Sequence, residues 1–348
     1  MRYRVFGRHT GLRVSELALG TGNFGTAFGH GTEPDEARRI FDGYIEAGGN
    51  FIDTADLYQH GEAETMLGDF IRAGRDQLVL ASKFSMGSSA ASGLAGTGNS
   101  RKAMVQCLEA SLKRLKTDRI DMYWVHTPDG VTPVDEVMRG LDDLVRAGKI
   151  IYIGLSNYAA WRVARAATLA ELRGLAPLAG VQMEYSLAER TVERDLLPMA
   201  ESFGIGVATW APLAGGVLTA KYRRGETGRR EASKSNTLHP EDSPQRIGIV
   251  DMLETIARET ASNPGRVALA WLLAKGVFPI LGPRTRAQLD DNLGAALVRL
   301  TPEQMTRLDV VSAIELGFPH DFLSKSSTLD RLSGGKPGLV DPPAAPVI

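Results

Sequence analysis

Along the chain, short apolar runs alternate with stretches whose apolar residues recur every three or four positions. The runs 17–19, 50–53, 78–83, 120–126, 150–155, 178–183, 206–210 and 277–281 read as strands. Between and after them the spacing predicts helices over 34–47, 62–72, 101–115, 133–147, 159–172, 192–203, around 249–260, 264–274 and 286–297. In the first helix Ala37, Ile40, Phe41, Tyr44 and Ile45 share one face. Thr32 is a candidate N-cap there, Pro34 suits the first turn, and Gly48-Gly49 is the stop.

Strands such as Ile150-Ile151-Tyr152-Ile153 are continuously apolar, as in a parallel sheet covered on both faces. Eight βα units in one chain predict an α/β fold of the closed (β/α)₈ TIM-barrel type; a doubly wound open sheet has the same alternation, and pattern alone leaves both standing. Residues 1–16 read as an N-terminal β-hairpin suited to plug the barrel bottom. The division expected is a barrel over 1–316 and a C-terminal tail over 317–348 that is partly disordered. Two long segments, 85–99 and 223–246, follow strands and are candidates for lids or for plain insertions.

If the strands are neighbours, their C-terminal ends gather chemistry at one spot. Asp53, Lys83 and His126 each close a strand-like run, and Tyr58 follows in the loop after Asp53. An acid, an amine, an imidazole and a phenol together make a proton-transfer site, with Tyr58 the candidate general acid.

Composition narrows the rest. The 348 residues carry 40 Lys and Arg against 41 Asp and Glu, a balance that gives no reason to expect nucleic acid or another polyanion as partner. The single cysteine, Cys107, lies on an apolar-periodic segment; it reads as a core residue and fits a reducing, cytoplasmic compartment. Residues 1–6 lack the apolar core of a secretory leader, and the most apolar stretch, 267–281, is interrupted by Lys275, Gly276 and Pro279, so no membrane span is expected. No Cys/His cluster suggests a metal.

Gly20-Thr21-Gly22-Asn23-Phe24-Gly25 matches the dinucleotide fingerprint G-x-G-x-x-G. A working fingerprint opens directly into a helix that receives the pyrophosphate, whereas Gly29, Gly31 and Pro34 intervene here. These glycines are read instead as the first loop of a barrel. No tyrosine is followed four positions later by lysine, which removes the short-chain dehydrogenase pattern as well.

Asp53-Thr54-Ala55-Asp56-Leu57-Tyr58 with Gly61 and Glu64, the strand ending in Lys83, and Asp121-Met122-Tyr123-Trp124-Val125-His126 together resemble the aldo-keto reductase superfamily. Gly148-Lys149-Ile150, Gly154-Leu155-Ser156-Asn157-Tyr158, Gln182, Trp210-Ala211-Pro212-Leu213 and the segment from Gly282 to Asn292 continue the likeness in order, over roughly residues 3–300. The resemblance implies a (β/α)₈ barrel that reduces small-molecule aldehydes and ketones with NADPH. It makes Tyr58 the general acid, Lys83 and Asp53 its tuning pair, and His126 the group that polarises and orients the carbonyl. A phenol titrates near ~10 in water, and a neighbouring ammonium lowers such a value by roughly 1–3 units.

The same resemblance assigns the NADP(H) contacts. Thr21 and Gly22 lie in the first loop; Ser156, Asn157 and Gln182 grip the nicotinamide carboxamide, with Asp53 nearby; and Trp210 stacks on the ring. Ala211, Pro212, Leu213 and Lys221 cover the pyrophosphate, while Gly282, Arg284, Gln288, Asp291 and Asn292 hold the adenosine end. Arg284 suits a 2′-phosphate. Asp291 stands where the family has a longer Glu. Two other readings remain: a cofactor-binding regulatory protein like the potassium-channel β subunits, and a barrel aldolase with Lys83 as Schiff-base nucleophile. Neither the substrate nor the oligomeric state is readable.

Overall fold

Barrel closure rests on a contact between the two ends of the repeat. In the computed structural model, which describes residues 1–89, 92–226 and 239–341, the last barrel strand pairs in parallel with the first, Ile280 beside Ala18 and Leu281 beside Leu19. The strands are β3 (Ala18–Gly20), β4 (Phe51–Asp53), β5 (Val79–Phe84), β6 (Ile120–Val125), β7 (Ile150–Ser156), β8 (Leu178–Glu184), β9 (Gly206–Trp210) and β10 (Phe278–Leu281). They form one closed barrel in the order β10-β3-β4-β5-β6-β7-β8-β9, every pair parallel. The open-sheet alternative is thereby excluded, and the first glycine loop is a barrel loop.

The hairpin pairs β1 (Tyr3–Val5) with β2 (Arg13–Ser15) and delivers Phe6 into the barrel floor. Phe6 is fully buried, with its ring centroid 5.6 Å from Phe51, 6.3 Å from Trp124 and 5.1 Å from Phe278. Glycines on the neighbouring strands make the room. A Cβ at Gly180 or Gly206 would come within 2.5 or 2.8 Å of the Phe6 ring, and one at Gly154 within 2.2 Å of Trp124. Phe6→Ala would therefore leave a cavity costing about 3–5 kcal/mol.

Outside the strands lie helices Pro34–Glu46, Glu62–Phe70, Arg101–Leu115, Val134–Arg146, Ala160–Arg173, Leu196–Ser202, Pro244–Glu259, Pro264–Ala274 and Arg286–Leu293, with Pro302–Val311 beyond the repeat. Ser100 caps Arg101–Leu115 by accepting from the Ala103 N–H, and Lys116 ends it in the left-handed conformation.

Two expectations needed correction. Glu33, not Thr32, is the N-cap of Pro34–Glu46, because a proline at the first helical position makes its immediate predecessor the cap; the Thr32 hydroxyl donates to Arg284 O at 3.1 Å instead. The helix expected over 192–203 is split into a single turn at Thr191–Glu193 and a helix at Leu196–Ser202, since Pro198 is tolerated only in a first turn. The described part of the C-terminal tail contains short helices, His320–Leu323 and Ser326–Leu332. The expectations for loops 85–99 and 223–246 and for the tail fall in part on 90–91, 227–238 and 342–348, which lie outside the described residues. Cys107 is buried, and no helix among the described residues is long and apolar enough to cross a membrane.

Candidate active site

Asp53 ends β4, Lys83 lies one residue from the end of β5, and His126 directly follows β6, so adjacent strands carry three of the four candidate proton-transfer groups. Tyr58 is brought back over them by a turn in which Gln59 (φ 50°), His60 (φ 54°) and Gly61 (φ 91°) are all left-handed. Gln59 anchors this turn: its amide donates to Gly22 O at 3.2 Å and His30 O at 3.1 Å and accepts from Phe28 N at 2.8 Å. The Tyr58 ring rests beside Gly22, where a Cβ would stand 3.7 Å away.

Lys83 is fully buried, and its three N–H bonds all have acceptors: the Asp53 carboxylate, Thr54 O at 2.9 Å and the Tyr58 hydroxyl at 3.0 Å. An ammonium has no acceptor capacity, so the phenol oxygen is the acceptor in that contact. Burial works against charge on Lys83, but Asp53 and Tyr58 more than offset it, and the pKa lies above the ordinary lysine value. A Schiff-base lysine needs the opposite, which removes support from the aldolase reading. His126 faces Tyr58 edge-on, with centroids 6.0 Å apart. Burial, with the Lys83 charge second, pushes its pKa down to about 3, so the imidazole is neutral over the physiological range. Its Nδ1 is buried without a hydrogen-bond partner among the described residues.

The cofactor candidates form an arc running from β7 round to β3. Ser156 ends β7, and Asn157 follows it at φ 60°. Asn157 Nδ2 donates to His126 O at 2.9 Å and to the Ser156 hydroxyl at 3.1 Å, while its Oδ1 accepts from Trp210 Nε1 at 3.0 Å. Gln182, on β8, donates to Asp53 Oδ1 at 2.9 Å. Thr21 is buried, its N–H and hydroxyl both on Asp53 O, at 2.9 and 3.3 Å.

Beyond Trp210 the chain passes Ala211, Pro212 and Leu213 into a loop rich in left-handed residues: Ala211, Ala214, Gly215, Gly216 and Ala220. Lys221 lies across it, and a Cβ on Gly216 would meet the Lys221 Cε at 2.6 Å. After β10, Gly282 O accepts from Asn23 Nδ2 at 2.9 Å, and Arg284 N donates to the Gln288 amide oxygen at 2.9 Å. Asn292 is half-buried in the same helix. Among the described residues the Arg284 guanidinium has no hydrogen-bond or ion-pair partner. Asp291 is engaged within the protein: its Oδ1 accepts from Asn263 at 2.7 Å and lies 3.0 Å from Arg266 Nε. Arg266 and Asn263 carry no sequence signal, since the pairing joins the start of helix Pro264–Ala274 to the last turn of helix Arg286–Leu293.

These residues fit a dinucleotide phosphate. Its anionic groups need cations and irregular backbone at strand ends, which the 211–220 loop with Lys221 and the unpaired Arg284 offer. The Asn157, Ser156 and Gln182 set offers both donors and acceptors to a carboxamide.

The Aldo/keto reductase family model matches residues 16–313. A protein named norsolorinic acid reductase, from Aspergillus flavus, is 36% identical over 342 residues, covering 94% of this chain and 85% of its own length. An uncharacterized oxidoreductase, YrpG, of Bacillus subtilis is 38% identical over 322 residues, covering 89% and 95%. A putative aryl-alcohol dehydrogenase, AAD14, of Saccharomyces cerevisiae is 33% identical over 346 residues, covering 95% and 92%. Barrel, strand-end chemistry and these similarities agree: the chain is an oxidoreductase that belongs to the aldo/keto reductase family.

Proposed function

We propose that the protein reduces aldehyde and ketone carbonyls to alcohols with NADPH, Tyr58 serving as general acid. The observation that supports this most is the Lys83 ammonium, held by Asp53 and donating to the Tyr58 hydroxyl at 3.0 Å. That contact favours the phenolate and so eases release of the phenolic proton. When bound, NADPH supplies hydride to the carbonyl carbon. Tyr58 gives its proton to the carbonyl oxygen, and the phenolate left behind is stabilised by Lys83 until solvent reprotonates it. Neutral His126 donates a ring N–H to the same oxygen and orients it. The reverse sequence oxidises an alcohol.

Ser156, Asn157 and Gln182 would hold the carboxamide, Trp210 would pack on the ring, and Lys221 and Arg284 would meet the phosphates. Arg284 carries the choice of NADP(H) over NAD(H), since a guanidinium matches a phosphate dianion. Two relatives are named for norsolorinic acid and for aryl alcohols, so aromatic carbonyls are the place to begin. Phe28 and His60, an edge-to-face pair 4.8 Å apart beside the Tyr58 turn, suit a flat ring. The buried lone cysteine accords with a cytoplasmic location. A panel of aryl and aliphatic carbonyls, followed by loss of NADPH absorbance, tests the proposal. Consumption with at least one class supports it; NADPH binding with no turnover across the panel supports the regulatory reading instead.

A further inference from the structure

The Asp53 carboxylate has two buried partners on opposite sides. Oδ2 takes the Lys83 ammonium from β5, and Oδ1 takes Gln182 Nε2 from β8, 129 residues away in sequence. Gln182 is 2% exposed and Asp53 is 1% exposed, so water competes for neither contact. An ionised carboxylate only accepts, which requires the amide nitrogen of Gln182 to face Asp53 and leaves its amide oxygen as the acceptor for a ligand. An unbroken chain of polar groups therefore crosses the barrel mouth, from Gln182 through Asp53 and Lys83 to Tyr58.

We propose that Gln182 is a positioning residue for proton transfer: by donating to Asp53 Oδ1 it holds the Asp53–Lys83 pair in the arrangement that lets Tyr58 release its proton. Two physical effects act together. The hydrogen bond fixes the carboxylate rotamer, so that Oδ2 meets Lys83. It also damps the Asp53 charge, which otherwise opposes a second negative charge on Tyr58. The inference rests on the reading of Tyr58 as proton donor, and it adds to the cofactor grip of Gln182 a duty exercised before any cofactor binds.

The test uses the cofactor-free protein. Tyrosine is labelled with ¹³C at the phenolic carbon, the Tyr58 signal is identified by its loss in Tyr58→Phe, and its pH midpoint is measured. The wild type is compared with Gln182→Met, which keeps length but removes the donor, and Gln182→Leu, which removes the donor with a smaller apolar side chain. The midpoint is expected to rise by about 0.5–1 unit in both variants, with far-UV circular dichroism unchanged. At neutral pH kcat should fall by roughly 3- to 10-fold in Gln182→Met, in step with the midpoint. An unmoved midpoint alongside a raised Kd for NADPH would overturn the proposal and leave Gln182 a cofactor ligand only. Should Gln182→Met not fold, Gln182→Leu decides the matter by the same criterion. Failure of the reductase reading shows separately, as absence of turnover by the wild type, because the titration needs neither substrate nor cofactor.

Discussion

Replacing Lys83 by methionine removes the ammonium that donates to the Tyr58 hydroxyl while keeping a side chain of similar length. The buried pair loses its positive member, and Asp53 is left as an uncompensated carboxylate in a site that excludes water. Breaking a buried pair in this way typically costs about 3–5 kcal/mol of stability. On the chemical side, an adjacent opposite charge shifts a titration by roughly 1–3 units, or about 1.4–4 kcal/mol of differential stabilisation of phenolate over phenol. The basic limb of the pH–rate profile should therefore move to higher pH by that amount, and the rate at neutral pH should become very low. Chemical denaturation followed by fluorescence, with pH–kcat profiles at saturating NADPH, measures both effects. Lys83→Met combined with Asp53→Asn separates them: deleting the orphaned charge should restore most of the stability and none of the rate. An unchanged pH–rate profile in Lys83→Met, or a double variant that regains activity, would refute the argument that Lys83 tunes Tyr58.

Three further predictions concern charge elsewhere. Arg284→Ala should raise the Kd for NADPH by roughly 10- to 150-fold, since each charge-assisted bond to phosphate is worth about 1.5–3 kcal/mol, while NADH affinity stays near wild type; equal losses for both cofactors by fluorescence titration would make Arg284 structural. His126, with its pKa pushed down to about 3, binds fewer protons folded than unfolded below about pH 6.5, so its contribution to stability is present above that pH and lost as pH falls toward 3. His126→Asn should flatten the stability-versus-pH curve in that window, and an unchanged slope would place the imidazole in solvent. Asp56 is the converse case: burial, with Glu64 second, pushes its pKa up to about 7, and its Oδ1 has no partner among the described residues. Its folded form holds a proton that the unfolded chain gives up near pH 4, so stability present at low pH is lost as pH rises through about 7. Asp56→Asn should therefore be more stable than wild type at pH 8, by up to about 4 kcal/mol, with the advantage gone near pH 4. Equal melting temperatures at pH 8 would contradict this.

Strand ends were readable because a strand buried on both faces is a continuous apolar run, and a polar residue closing such a run stands out. Asp53, Lys83 and His126 are such residues, and the structure brings them together with Tyr58. Closure was not readable from the pattern, because it depends on β10 meeting β3 across more than 250 residues, a contact that leaves no local periodicity. The same holds for Gln182 on Asp53 and for Asn157 on Trp210, where polar partners meet only once the barrel is closed. Thr32 and the 192–203 helix show the limits of period alone: one proline set the cap in the first case and the start of the helix in the second. The space that Gly180 and Gly206 leave for Phe6 is likewise a property of the packed interior.

The account stands most directly on Tyr58→Phe, which deletes the phenolic proton and leaves the ring beside Gly22 and His126 in place. Steady-state reduction of the best carbonyl substrate, at saturating NADPH, should show kcat reduced by about 10²–10⁴-fold, as expected for loss of a general acid. NADPH affinity, read by fluorescence quenching, should remain within about threefold of wild type, a free-energy change below about 0.7 kcal/mol. A variant that retained more than about a tenth of the wild-type kcat would contradict the assignment of Tyr58 as proton donor.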